Sequence, residues 1–253
     1  MKINKVILQK QKPAFIRKVI DALNERFGAP YDVSVNRAGI LDVLIATKLS
    51  QNTTDKSSFA AFTNLKKKFS NWDEVSKADV RIIKNEIKVC GLAETKSKEI
   101  LSLLKNLKKN FGSLDLEFMN EYTDEKIYEI FLNHKGFGVK TVSCVLIFAM
   151  GRDAFPVDTH VHRILNRLGI VKTSSAEKTF EAVKEIIPEG KKYELHSNLI
   201  KFGRNICRAK NPLCSICFLY KVCEFPEKKF YRFKKINASD IKENNFIILE
   251  NLS

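Results

Sequence analysis

No apolar run in this 253-residue chain approaches the roughly twenty residues that a membrane-spanning helix requires. The start, MKINKVILQKQKPAF, is basic but has neither a long apolar stretch nor a small-residue cleavage site, so it reads as an intracellular protein of cytoplasm or nucleoid, with no membrane partner. Acidic residues are scarce, at 29 against 44 Lys plus Arg, which leaves a net charge of +15. That deficit favours a polyanionic partner, through phosphate contacts and counterion release. A lysine-rich proteome or a membrane-surface protein would give the same charge. Cysteine is not spread as a disulfide framework would require: of six, four crowd into one short segment near the end. Such clustering in an intracellular protein points to metal. No internal repeat, low-complexity linker or run of alternating strands stands out.

What is present is enough apolar material, 44%, for one large domain or two modest ones. The pattern is helical almost throughout. In 14–27, Phe15, Ile16, Val19, Ile20, Leu23 and Phe27 form one stripe, stopped by Gly28 and Pro30. Residues 38–49 are apolar nearly all round, which predicts a buried central helix. Asp55 is placed to cap the next helix, striped by Phe59, Phe62, Leu65 and Phe69. Further helices are expected over 76–88, 96–110, 124–133, 139–150, 159–168, 175–187 and 191–206, with Ser174 and Glu177 at capping-box spacing. From about 228 the character changes: KKFYRFKK is basic and aromatic, and NNFIILENL is strand-like. This tail reads as a DNA-contacting arm or as a loosely packed extension.

CRAKNPLCSICFLYKVC sets Cys207, Cys214, Cys217 and Cys223 at spacing C-x6-C-x2-C-x5-C. Four thiolates on a compact loop suit either Zn²⁺ or a [4Fe–4S] cluster, and softness alone does not separate them. Arg204, Arg208, Lys210 and Lys221 decorate the loop and could offer positive charge to a phosphate backbone. Cys90 and Cys144 sit in apolar surroundings and read as core.

KGFGVKTVSCVLIF joins two helical patterns through Gly136-Phe137-Gly138. Close glycines permit a tight turn, and the amides opening the following helix would suit one DNA phosphate. Lys140 falls in that helix's first turn, where the dipole disfavours an ammonium and so favours the free amine that nucleophilic attack requires. An ordinary solvated lysine would look the same. In FPVDTHVHRILNRLG, Asp158 opens a helix. It reads as an N-cap, and a cap held ionised can also stabilise positive charge on a sugar and help move protons. His160 could orient that carboxylate or touch phosphate; His162 reads as a helix-surface residue. Arg163 and Arg167, four apart, suit a DNA face or a solvated face equally.

Taken together, Gly136-Phe137-Gly138-Val139-Lys140-Thr141, Val157-Asp158-Thr159-His160 and the four-cysteine loop, in that order, resemble the endonuclease III family of DNA glycosylases over residues 14 to 226. His134-Lys135 replaces the Leu-Pro usual before the hairpin. The resemblance implies an all-α, two-lobed helix–hairpin–helix glycosylase fold. It places the helical lobe at 34–152, the cluster lobe at 1–33 plus 153–227, and an extension at 228–253. It implies [4Fe–4S] rather than zinc on Cys207, Cys214, Cys217 and Cys223, with a structural and DNA-binding role. It also implies that Lys140 and Asp158 face each other across a cleft that receives a base extruded from the duplex. The lysine attacks C1′, the base leaves, a Schiff base forms, and β-elimination nicks the strand 3′ to the lesion.

The family fills the vacated space in the duplex from two motifs. In L-S-x-Q-x-x-D this chain has Leu49-Ser50-Gln51-Asn52-Thr53-Thr54-Asp55, so Asn52 holds the filler position. That form also resembles the plant 5-methylcytosine glycosylase branch. In G-L-Y-N-S-K it has Gly91-Leu92-Ala93-Glu94-Thr95-Lys96, making Leu92 the second filler. Gly136, Gly138, His160, Arg208 and Lys210 complete the expected DNA contacts. The expected activity is bifunctional glycosylase/AP lyase action in base excision repair, by a monomer on lesion-containing double-stranded DNA, with oxidised pyrimidines first among substrates. Mispaired uracil or thymine and methylated bases are alternatives within the class. A non-catalytic DNA-binding module with a structural metal is the alternative outside it.

Overall fold

A computed structural model describes residues 2–29, 37–237, 241 and 243–252, with side chains from residue 13 onward. In chain order the α-helices are α1 (Lys2–Phe27), α2 (Ile40–Leu49), α3 (Asp55–Lys68), α4 (Trp72–Lys77), α5 (Val80–Ile87), α6 (Ala93–Phe111), α7 (Asp124–Leu132), α8 (Val139–Cys144), α9 (Thr159–Arg167), α10 (Ala176–Val183), α11 (Lys192–Asn205) and α12 (Lys228–Arg232). Among the described residues no strand forms, and no helix is long and apolar enough to cross a membrane. The chain divides into two units: Met1–Tyr31 with Asp153–Asn245, and Asp32–Arg152 with Phe246–Ser253. Pro30 and the expected boundary at 33/34 lie outside the described residues.

In the first unit the stripe Ile16, Val19, Ile20 and Leu23 of α1 buries against Val161, Ile164 and Leu165 of α9 and Leu195, Leu199 and Phe202 of α11. Each such side chain, taken fully from water, contributes about 1.5–3 kcal/mol. In the second unit α2 is the central helix. Every residue of it but Asp42 is buried, and it packs on α3, α6 and α8. Asp42 is tied down by Trp72 Nε1 at 2.8 Å and Lys66 Nζ at 3.1 Å.

Among the described residues, six helices start on a side chain that accepts an early backbone N–H: Thr54, Asn71, Asp79, Thr123, Asp158 and Ser175. Two of the expected caps therefore shift by one residue. Thr54, not Asp55, caps α3, and Ser175, not Ser174, caps α10. A cap must hold extended backbone one residue ahead of the helix, and Asp55 is already helical. Its carboxylate instead accepts the Ile248 amide at 3.1 Å. The helix expected over 76–88 is broken at Ala78, whose ψ of 154° is extended, and restarts on the Asp79 cap. The helix expected over 139–150 is α-helical only to Cys144 and continues as a π-turn, Val145–Ala149.

The tail also departs from expectation. KKFYR is helical, and the strand-like segment makes a 3-10 turn, Ile248–Glu250. A strand needs a ladder partner, and an all-helical unit has none to give. Ile247 and Ile248 are buried there, and Phe246 meets Phe59 of α3 edge-on at 5.4 Å. This end of the tail is packed rather than loose.

Candidate active site and cysteine cavity

The hairpin joins α7 to α8 in the second unit. Gly136 has φ +85°, a left-handed conformation that glycine adopts at least cost. A Cβ there would also collide with Lys48 Nζ and the Glu99 carboxylate, which lie directly beneath it. The Gly136 carbonyl accepts from Lys48 Nζ and from Gln51 Nε2, each at 3.1 Å. Phe137 is buried, with the Lys48 ammonium 5.5 Å from its ring centre. Gly138 precedes α8 in extended backbone, and Lys140 is the second residue of the helix, half-buried. Burial pushes the His134 imidazole below its ordinary value.

Asn52 and Leu92 belong to the same unit. Each adopts left-handed backbone, at φ +54° and +51°, and each is exposed; Leu92 leaves 58% of its surface in water. Four side chains that the sequence reading passed over lie behind them: Lys48, Gln51, Lys96 and Glu99. Lys48 and Lys96 are buried, at 3% and 2% exposure. The available signal was Lys48 standing as the one charge in the stretch Val43–Leu49.

Asp158 and its neighbours belong to the first unit. The Asp158 carboxylate accepts the Val161 amide at 2.8 Å, so the carboxylate is both fixed and half-buried. His160 Nδ1 accepts from Arg163 Nη2 at 3.1 Å, and a Cβ on Gly203 would sit 2.6 Å from that nitrogen. Burial first holds the His160 pKa down; Arg163 and Arg204 act the same way and Asp158 opposes them. His162 is not a plain surface residue, since its Nδ1 lies 2.6 Å from Thr179 Oγ1. The two arginines fit neither expected role, because both are turned onto the cysteine loop. Arg163 donates to the Cys207 carbonyl from Nε at 3.1 Å and Nη2 at 3.0 Å, and to the Gly203 carbonyl at 3.1 Å. Arg167 donates to the Arg208 carbonyl at 2.7 Å and to Cys207 Sγ at 3.4 Å, with its guanidinium 4.0 Å from the Phe225 ring centre. Unsatisfied loop carbonyls next to a helix attract the nearest guanidinium, and five donors in a fork can satisfy several.

Cys207, Cys214, Cys217 and Cys223 line one small cavity together with Leu168 and Phe202. Burial pushes the Cys217 thiol up to about 12, and Cys214 and Cys223 upward; neighbouring thiolates add to this. The Phe225 amide donates to Cys223 Sγ at 3.4 Å. Lys228 reaches back from α12 to the carbonyls of Tyr220, at 3.1 Å, and Cys223. Among the described residues, no three His, Cys, Asp or Glu side chains converge on a position for a single metal ion. Arg208 Nε donates to the Arg204 carbonyl at 3.2 Å, while Lys210 is exposed. Cys90 and Cys144 are fully buried.

Residues 45–189 match the family described as HhH-GPD superfamily base excision DNA repair protein. Endonuclease III of Thermotoga maritima is 36% identical over 187 residues, covering 74% of this chain and 84% of that protein. The chain belongs to the endonuclease III family of this superfamily. Endonuclease III of Sulfolobus acidocaldarius is 32% identical over 189 residues, 74% of this chain and 82% of that one. The DNA glycosylase/AP lyase ROS1 of Arabidopsis thaliana is 30% identical over 171 residues, 60% of this chain and 12% of that much longer one. Among solved structures, a non-covalent endonuclease III–DNA complex superposes with TM-score 0.73 at 26% identity, covering 88% of this chain and 99% of that one. A trapped endonuclease III–DNA covalent intermediate gives 0.72 at 27%, covering 86% and 97%. The fold is thus the all-α helix–hairpin–helix glycosylase fold. Asn52, Leu92, Lys140 and Asp158 fall inside the matched family span, and the four cysteines lie beyond it.

Proposed function

We propose that this endonuclease III-family protein is a bifunctional DNA glycosylase and AP lyase with Lys140 as nucleophile. The observation that carries the reading is its likeness to an endonuclease III trapped covalently on DNA, combined with a lysine in the first turn after the hairpin. The Lys140 amine, in its neutral form, attacks C1′. The bond from C1′ to the base breaks, and the base leaves with its electron pair and takes up a proton. The aminal that results loses an amine proton, its C1′–O4′ bond breaks with O4′ taking up a proton, and a Schiff base forms; this acidifies C2′, loss of that proton expels the 3′ phosphate, and water then releases the lysine. Asp158, fixed by the Val161 amide, stabilises the positive charge on the sugar and shuttles protons to and from the amine. The hairpin amides around Gly136 and Gly138 hold a phosphate, and Asn52 and Leu92 occupy the space that the extruded base leaves.

The four-cysteine cavity suits a [4Fe–4S] cluster in its donor set: soft sulfurs, with an amide and a guanidinium donating to two of them. Bound there, such a cluster would cross-link the loop and hold its basic residues in place. Burial raises the thiol pKa of Cys214, Cys217 and Cys223, so loading must displace their protons.

Borohydride trapping on abasic-site DNA tests the lyase. A covalent adduct is expected, and its absence, with Lys140→Ala as control, sinks the assignment. Brown protein absorbing at about 400 nm is expected for the cluster; colourless protein with stoichiometric zinc refutes it. The lysine favours oxidised pyrimidines. Asn52 in place of the family glutamine, with the likeness to ROS1, favours methylated bases as a second reading. A panel of single-lesion duplexes, mispaired uracil and thymine included, decides between them.

A further inference from the structure

Two buried ammonium groups tie together the three loops of the second unit that carry its expected DNA contacts. Lys48 sits near the end of α2. Its ammonium pairs with Glu99 of α6 and donates to Gln51 Oε1 at 3.0 Å and to the hairpin carbonyl of Gly136 at 3.1 Å. Lys96 sits in the first turn of α6 and reaches the other way. Its Nζ donates to the Leu49 carbonyl at 2.8 Å and the Cys90 carbonyl at 3.0 Å, and lies 3.6 Å from Cys90 Sγ. Leu49 ends α2, so the ammonium satisfies a terminal carbonyl and meets the negative end of the helix dipole. Cys90 ends the 3-10 turn that leads into Leu92. One side chain therefore fixes the last residue before the Asn52 loop and the last residue before the Leu92 turn.

Both tips depart from what folding alone would select. Asn52 and Leu92 are two of the three non-glycine residues with positive φ among the described residues, and a leucine gains nothing there from packing when most of it faces water. Nor does burying an ammonium favour folding. The same burial lowers the pKa of Lys96, and a methionine would fill the space without that cost. A strained, exposed leucine tip and an exposed, left-handed asparagine tip are linked through one costly buried cation by way of Cys90 and Leu49. Such strain persists only where the surroundings over-determine it.

We propose that Lys96 is a positioning residue for base extrusion: it holds Asn52 and Leu92 in the left-handed geometry that fills the duplex, and it takes no part in the chemistry at the sugar. This rests on the assignment of Asn52 and Leu92 as gap fillers. The distinction from a general structural role is testable, because a duplex already lacking the base needs less extrusion than one that carries it.

Lys96→Met should slow single-turnover excision from a lesion duplex by about 10- to 100-fold, the scale of a misplaced contact. Cleavage of a preformed abasic site, and borohydride trapping at Lys140, should stay within about threefold of wild type. The fluorescence rise of 2-aminopurine placed opposite the lesion should shrink in parallel with excision. In a Leu92→Ala background, Lys96→Met should add little, since the two act through one contact. Equal loss on both substrates, no loss on either, or full additivity with Leu92→Ala overturns the proposal. If Lys96→Met does not fold, Lys96→Gln, which keeps a shorter donor, takes its place with the same criteria and an expected loss of about 3- to 10-fold on the lesion duplex alone. Wild-type protein inactive on both substrates would instead refute the glycosylase/lyase assignment. Leu92→Ala with wild-type excision would refute the filler assignment.

Discussion

At the scale of single residues, substitution can separate the helix cap that Asp158 provides from the catalytic role proposed for it. Asparagine caps a helix about as well as aspartate but cannot stabilise a cation. Asp158→Asn should therefore melt within a few degrees of wild type, while single-turnover excision falls by about 10²- to 10⁴-fold. Asp158→Ala should lose the same activity and also about 1 kcal/mol of stability. If Asp158→Asn keeps full activity, the carboxylate is only a cap. Leu92 presents the converse case. Glycine at a φ of +51° relieves the left-handed strain and gives up little packing, because the side chain is exposed. Leu92→Gly should be neutral or stabilising, by up to about 1 kcal/mol in a thermal melt, while excision declines.

At the scale of elements, α9 is a bracket for the cysteine loop. Between one and three turns past Asp158, Arg163 and Arg167 bind the carbonyls of Cys207, Arg208 and Ala209 and one cysteine sulfur. Hydrogen bonds to charged groups contribute about 1.5–3 kcal/mol each, and removing the guanidinium leaves loop carbonyls unpaired. Arg167→Met should leave secondary structure intact by circular dichroism but lower retention of the proposed cluster. The measurement is the loss of absorbance at about 400 nm on exposure to chelator, expected to be several-fold faster than in wild type. The segment after residue 245 is a second such element. Ile248 packs into the second unit on the Asp55 carboxylate, so Ile248→Ala should destabilise by about 2–5 kcal/mol, read by denaturant unfolding.

At the scale of the whole molecule, charge and pH set the working conditions. A net charge of +15 makes DNA affinity fall steeply with salt, and the slope of log affinity against log salt counts the phosphates engaged. His134 in one unit and His160 in the other are both held below the ordinary histidine pKa by burial. The unfolded chain then binds protons that the folded chain refuses. The stability these two contribute is present above about pH 6.5 and is lost as pH falls toward their folded values. Melting temperature should drop between pH 7.5 and pH 5, and His160→Gln should flatten part of that dependence. A melting temperature that rises on acidification contradicts the burial of both rings.

The family, the helical fold class and the type of activity were legible in the sequence alone. Apolar periodicity made the chain helical, because a 3.6-residue stripe can be buried in no other way, and the short patterns around Lys140 and Asp158 are contiguous in the chain, so no folding was needed to read them. The cysteine spacing was legible for the same reason. Tertiary structure decided what depends on residues far apart. Arg163 and Arg167 looked like surface charge until α9 met a loop some 40 residues away. Lys48 and Lys96 looked like ordinary lysines, since nothing local marks an ammonium as buried; their partners lie 88 and 47 residues distant. Asp55 matched a helix cap in sequence, yet its carboxylate is taken by a backbone amide 193 residues on. Local pattern specifies which helices form; only packing specifies which polar groups must satisfy one another once water has been excluded.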